Sequence, residues 1–200
     1  MLPDAIQKFI RVFSRLPSIG PRQATRLAFW LITSSKVGLV EIQDALSGLT
    51  QMKVCPRCFF VYDSPAAMCH TCDAPERHNG IYMILEKETD LLSIERSGAY
   101  QGRYLVLGTL TKTGVFDDWQ LRRLHALQET IVAHEPNGIA EEIIIALNPG
   151  TYGDLNASII EKEFIHRAKV ITRLGRGIPT GGEIEFADDD TLAHSITRRS

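Results

Sequence analysis

Residues 16–31, LPSIGPRQATRLAFWL, place two prolines and a glycine inside a stretch that otherwise keeps helical spacing. Upstream, Ile6, Phe9, Ile10, Phe13 and Leu16 recur on one helical face, and downstream so do Ala24, Leu27, Ala28 and Leu31. Two short helices therefore flank PSIGP. Gly20 is expected to supply the positive φ of a tight turn between antiparallel helices, and Pro21 suits the first helical position, where no N–H partner is lost. Such a corner leaves backbone N–H groups near Ser18–Gly20, and in the first turn of the next helix, turned outward and attractive to anions. Arg22 and Arg26, four residues apart, would flank a phosphate held there. The plain alternative is a helical corner carrying two solvated arginines.

The charge distribution agrees with the first reading. The chain has 200 residues, 44% hydrophobic and 23% charged, with a formal net charge of −2. That charge is uneven: residues 1–60 carry a net +5 and residues 61–200 a net −7. A basic N-terminal module on an acidic body can meet a polyanion with one face while the rest stays off non-specific surfaces. Apolar runs reach only five or six residues, and the first thirty residues include Asp4, Lys8, Arg11, Arg15, Arg22 and Arg26. The expectation is a cytoplasmic protein with neither a signal peptide nor a membrane span.

All four cysteines fall in CPRCFFVYDSPAAMCHTC (55–72), as two CxxC pairs separated by ten residues. Paired disulfides do not suit a reducing compartment, and a thioredoxin-like redox site needs one CxxC rather than two. Four thiolates, Cys55, Cys58, Cys69 and Cys72, can close a tetrahedron around one structural zinc ion per chain with no position left for water. The metal would stabilise a segment too small to build its own core. His70 is expected to be exposed rather than coordinating.

Beyond the cysteines the pattern changes to strands alternating with helices. Strands are expected at 81–85, 104–108, 141–147 and 169–174, and helices at 90–96, 118–134 and 155–167, the first ending at Gly98. A third N-terminal helix is expected at 39–49. The implied fold class is α/β with a mostly parallel sheet. The first strand ends in Glu86, where sites form in such sheets, and the alternation resembles the Toprim domain of topoisomerases and primases. Catalytic members hold Mg²⁺ with that glutamate and an Asp-x-Asp after the third strand. Here that run is IIIALNPGTYGD, with Asn148, Pro149 and Gly150 in place of the acids. Glu86, Asp90 and a displaced Asp154 remain as candidates for a partner or Mg²⁺ contact, with no catalytic residue assigned. No G-x-x-x-x-G-K-[ST] motif occurs, so ATP hydrolysis is not expected. RLGRGIPTGGEIEFADDDTL (173–192) reads as a turn and a strand, with Asp188–Asp190 solvated.

Taken in order, LPSIGPRQATRLAF, the four-cysteine knuckle, EKETDLLSIE (86–95) followed by GAYQGRYLVLG (98–108), ALNP (146–149) and RGIPTGGEIEFAD (176–188) resemble the RecR family of recombination mediators over essentially the whole chain. The resemblance implies a helix-hairpin-helix DNA-binding module at 1–53 with Gly20, Arg22 and Arg26 facing DNA. It also implies a zinc finger at 54–77, a Toprim-like domain at 78–175, and a C-terminal segment at 176–200 as an oligomer contact. It implies a non-enzymatic, ring-forming homo-oligomer that works with RecO and sometimes RecF to help load RecA at gapped DNA. The sequence departs from the family at GTLTKTGVFDD (108–118), which lacks the usual S-P-x-x-G-x-G-P run, and at NPGTYGD (148–154), which replaces N-P-T-x-E-G-E and loses an acid at Tyr152. Two rival readings are a Mg²⁺-dependent Toprim nuclease or primase-like enzyme, and a protein–protein adaptor without direct DNA binding.

Overall fold

The computed structural model describes residues 2–34 and 36–197; the end of the expected C-terminal segment, 198–200, lies outside them. The chain divides into two compact units, one running to Met52 and the other beginning at Lys53.

The first unit holds α1 (Asp4–Phe13), α2 (Pro21–Thr33) and α3 (Lys36–Leu49). The small side chains of Ala24 and Ala28, with Leu31, form the buried stripe of α2, and α1 packs closely on that helix. The corner between α1 and α2 is where expected, but its geometry differs. Positive φ falls on Ser18 (φ 62°), whereas Gly20 is extended (φ −86°, ψ 170°) and serves as the N-cap of α2. The left-handed residue follows Pro17, and the chain is extended by the time it reaches Gly20. A Cβ built on Gly20 would meet nothing within 4 Å, so what the glycine provides is a bare backbone open to solvent rather than a special dihedral.

In the second unit, strands β1 (Lys53–Val54) and β2 (Val61–Tyr62) form a small antiparallel ribbon, followed by a single-turn helix α4 (His70–Asp73). A four-stranded parallel sheet follows, made of β3 (Ile81–Leu85), β4 (Arg103–Val106), β5 (Ala140–Ala146) and β6 (Ala168–Arg173) in the order β4-β3-β5-β6. Helices α5 (Glu88–Ser97), α6 (Asp118–His134) and α7 (Thr151–Phe164) link the strands. The central strands are apolar almost throughout because both faces are covered. One face sends Tyr82, Ile84, Leu105, Ile143 and Ile145 against Leu124, Leu127 and Ile131 of α6 and Ile160 and Phe164 of α7. The alternate residues Met83, Leu85, Tyr104, Val106 and Ala146 pack with Leu91 of α5 and with all four cysteines.

Local chemistry sets the helix limits. Asp117 caps α6 by accepting from the Gln120 amide at 2.8 Å, while the Gln120 side chain accepts from the Asp117 amide at 3.2 Å, a reciprocal capping box. Gly98 ends α5 in the left-handed conformation (φ 66°). The C-terminal reading needs correction: EIEF is not a strand. Ile184–Phe186 forms one 3₁₀ turn, and among the described residues no strand pairs with it; Phe186 is 79% exposed. Asp188, exposed as expected, caps a further helix, α8 (Asp189–Thr197), through the Thr191 amide at 2.9 Å and its hydroxyl at 2.8 Å.

Candidate functional site

Three groups of sequence-derived residues can be placed: the thiols, the helical corner and the strand-end acids. The sulfur atoms of Cys55, Cys58, Cys69 and Cys72 lie within 4.8 Å of one another, and all four residues are buried. All four are free thiols, with Cys58 Sγ 3.4 Å from Cys69 Sγ. A tetrahedral zinc site with Zn–S near 2.3 Å separates its sulfurs by about 3.8 Å, so the donor set and its spread fit that metal. The local folding is directed to this end. Phe59 takes positive φ (61°) and its amide donates to Cys55 O at 3.0 Å, while the Cys55 amide donates to Phe60 O at 2.9 Å. This tight turn brings the first pair together, and the start of α4 brings the second. The crowded thiols already perturb one another. Hydrogen bonds from Cys58 and then Cys69 pull Cys55 far below the ordinary thiol value, while Cys55 and then Cys58 push Cys72 up. A divalent cation displacing the thiol protons removes that conflict.

The thiol cluster is joined to the sheet by contacts that sequence reasoning missed. Cys58 O accepts from the Val106 amide at 2.8 Å, so the knuckle meets the outer edge of β4 at that residue. Arg57 Nη2 donates to His134 Nε2 at 2.9 Å, at the end of α6, while His134 Nδ1 donates to Thr130 O at 2.9 Å. Arg77 grips Glu95 of α5 with two bonds of 2.7 Å, and Tyr104 donates to the same carboxylate at 2.6 Å. Arg123 lies 5.1 Å from the centre of the Phe59 ring and donates to Val106 O at 2.9 Å.

At the helical corner, Arg22, Arg26, Ser18 and Gly20 are all exposed. The outward N–H set is smaller than expected, because Ile19 donates to Leu16 O at 3.2 Å and Gly20 donates to Gln23 Oε1 at 3.1 Å. Among the described residues, the amides of Ser18, Arg22 and Gln23 take no hydrogen-bond partner, and neither guanidinium of Arg22 or Arg26 meets a carboxylate. Unpaired amides at a helix start beside two free cations make a surface suited to an oxyanion.

The strand-end acids do not gather. Glu86, 7% exposed at the end of β3, accepts from Asn148 Nδ2 at 2.9 Å and lies 3.6 Å from Lys87 Nζ. Asp90 accepts from the Lys87 amide at 3.1 Å and so closes the start of α5. Asp154 is bound by Arg173, 3.4 Å away, and by Arg176. Among the described residues, the cysteines are the only close group of three or more metal-ligating side chains. Asn148 therefore does more than replace an acid, because its amide supplies the partner that a buried carboxylate needs. Gly153 lets α7 approach this strand end, since a Cβ there would clash with the Asn148 main-chain carbonyl. The departing loop at 108–118 is anchored by Asn156, fully buried, whose Nδ2 donates to Thr111 O at 2.9 Å and to Tyr152 O at 2.7 Å.

A helical-hairpin module, a four-thiol cluster and a parallel α/β domain thus lie on one chain, the layout of a multidomain helix-hairpin-helix protein. Comparison with known proteins agrees. Residues 6–49 match the family model described as RecR, helix-hairpin-helix, and residues 177–200 match RecR, C-terminal. The chain is 33% identical to the recombination protein RecR of Roseiflexus castenholzii, with 100% of this chain and 95% of the relative covered. It is 35% identical to that of Syntrophobacter fumaroxidans, covering 98% and 96%, and 33% identical to that of Frankia alni, covering 100% and 98%. The chain belongs to the RecR family. Among the described residues, no helix is long and apolar enough to cross a membrane.

Proposed function

We propose that this protein is a non-enzymatic, DNA-binding scaffold of recombinational repair. Its corner at Ser18–Gln23, with Gly20, Arg22 and Arg26, grips the sugar-phosphate backbone without reading bases. The observation that carries this reading is the exposed corner itself, with free amides and two unpaired guanidinium groups. One such module makes only two or three phosphate contacts and binds weakly. Assembly of protomers into a closed ring would place several modules on one DNA and raise their joint affinity. The expected partners are RecO and sometimes RecF, and the task is to help load RecA at gaps. A structural zinc held by Cys55, Cys58, Cys69 and Cys72 keeps the knuckle folded. Asp90 and Asp154, both partly exposed, stand where a protein partner could reach them, while Glu86, buried against Asn148, holds the end of β3; no Mg²⁺ site is proposed for the three.

The test compares the wild type with an Arg22→Ala/Arg26→Ala double variant on labelled DNA across a salt series. Loss of two phosphate contacts reduces the slope of log affinity against log salt by about 1.5 and weakens every DNA sequence alike. Equal retention by both proteins at low salt would favour the adaptor reading. In the same assay with Mg²⁺ or Mn²⁺ added, cleavage that Glu86→Gln abolishes would establish the enzyme instead.

A further inference from the structure

Helix α2 carries more than its two arginines on the solvent side. At 100° per residue, the buried Ala24, Ala28 and Leu31 occupy one side of the helix. Arg22, Arg26 and Trp30, at successive four-residue steps, wind along the opposite side, and Phe29 falls beside them. Trp30 is 59% exposed and Phe29 46%, and among the described residues the Trp30 indole N–H takes no hydrogen-bond partner. An exposed tryptophan in line with two free arginines is not needed for packing α2 against its own unit, since the buried stripe does that. Four residues rise about 6 Å along a helix, so the three groups form a ladder of cation, cation and aromatic face, spaced on the scale of one step of an extended nucleotide chain.

We propose that α2 is a binding track for single-stranded DNA, in which Arg22 and Arg26 hold consecutive phosphates and the Trp30 ring, flanked by Phe29, stacks on an unpaired base. The inference rests on the phosphate-binding reading of the corner and adds the form of nucleic acid to it. In a duplex the bases are stacked inside and their faces are unavailable to the indole, whereas a single strand presents a π-face at every nucleotide whatever its sequence. Charge complementarity selects the occupant: the track is purely cationic at one end, aromatic at the other, and lies in the basic part of the chain.

The chain has two tryptophans, so a full-length Trp119→Phe protein makes Trp30 the sole indole reporter. Titration with a dT oligonucleotide should quench its fluorescence, and a duplex of the same length should leave it nearly unchanged. Trp30→Ala should lower affinity for the dT strand by about tenfold, the loss of one base–aromatic stack, with duplex affinity unaltered. Trp30→Phe should recover part of the loss and thereby exclude a folding defect. Emission unaffected by dT, or shifting with protein concentration alone, would mean that a second copy covers the ring and would overturn the proposal, as would a Trp30→Ala protein with unchanged dT affinity. Arg22→Ala/Arg26→Ala separates the two readings. If dT binding and quenching survive it, the phosphate assignment fails and stacking stands. If it abolishes binding while Trp30→Ala does nothing, stacking alone fails.

Discussion

Arg103 at the start of β4 is 3% exposed, and its environment permits a quantitative test. Its Nη2 donates to Glu135 and to the Tyr82 hydroxyl, and Tyr82 in turn donates to Glu135 at 2.5 Å. The guanidinium also lies 4.4 Å from the centre of the Tyr82 ring. Its Nε and Nη1 have no partner among the described residues, so Glu135 supplies the only counter-charge to a buried cation. Burial, then the Glu135 carboxylate, pushes the Tyr82 phenol well above its ordinary value, so it remains a donor at any working pH. Glu135→Ala strips the arginine of its partner without removing its charge. Breaking one side of a buried pair costs about 3–5 kcal/mol, and for a chain of this size that corresponds to a fall in melting temperature of about 10 °C. Arg103→Met/Glu135→Leu, a double variant made in a Tyr82→Phe background so that no phenol hydroxyl is left buried without a partner, removes both charges and keeps the volume, and it should lie within about 1 kcal/mol of that background or above it. Urea unfolding followed by circular dichroism, with unchanged m-values, measures both. A Glu135→Ala protein within about 1 kcal/mol of the wild type, or a double variant as unstable as the single one, would refute the claim that the pair is truly desolvated.

Two further outcomes follow from the same geometry. Purified protein should contain one zinc per chain by elemental analysis, and Cys58→Ser or a strong chelator should remove it and lower thermal stability, because the buried thiols that remain then lack the ion that suits them. Glu161 is held below the ordinary carboxylate range chiefly by its hydrogen bonds from Arg173. Its stabilising contribution is therefore present above the unfolded carboxylate value of about 4.3 and is lost as pH falls through the lower folded value. The stability gap between wild type and Glu161→Gln should be small at neutral pH, since the pair is a third exposed, and should close on acidification. A gap that widens in acid contradicts the assignment.

Much of this architecture can be read from local pattern. The two CxxC pairs, the Asp117–Gln120 box and the left-handed stop at Gly98 are each encoded within a few residues, and apolar runs such as IYMIL and EIIIAL mark strands covered on both faces. What escapes such reading depends on contacts distant in sequence. Arg103 and Glu135 lie 32 residues apart, and a charged residue at a strand start ordinarily faces water. The same holds for Arg57 with His134 and for Asn156 with Thr111. At the corner, the break between the two helices is legible in the sequence but the dihedral of each turn residue is not, because any residue of a short turn can take the left-handed conformation, and here Ser18 takes it. The 183–186 segment has strand-forming residues but no neighbouring strand, so propensity alone misleads. Trp30 went unread because spacing marks a helix face without saying whether anything covers it.

The main-chain bond from Val106 to the knuckle carries a lesson about quality control. An open border of a parallel sheet is a template on which other chains can polymerise, and here that border is met at Val106 by a flap whose shape, if its four buried thiols carry the proposed zinc, rests on that ion as well as on its packing against the sheet. Scarcity of metal, or an oxidant that consumes the thiols, would then act on solubility before it acts on activity, and ill-assembled copies would leave the working pool by clumping.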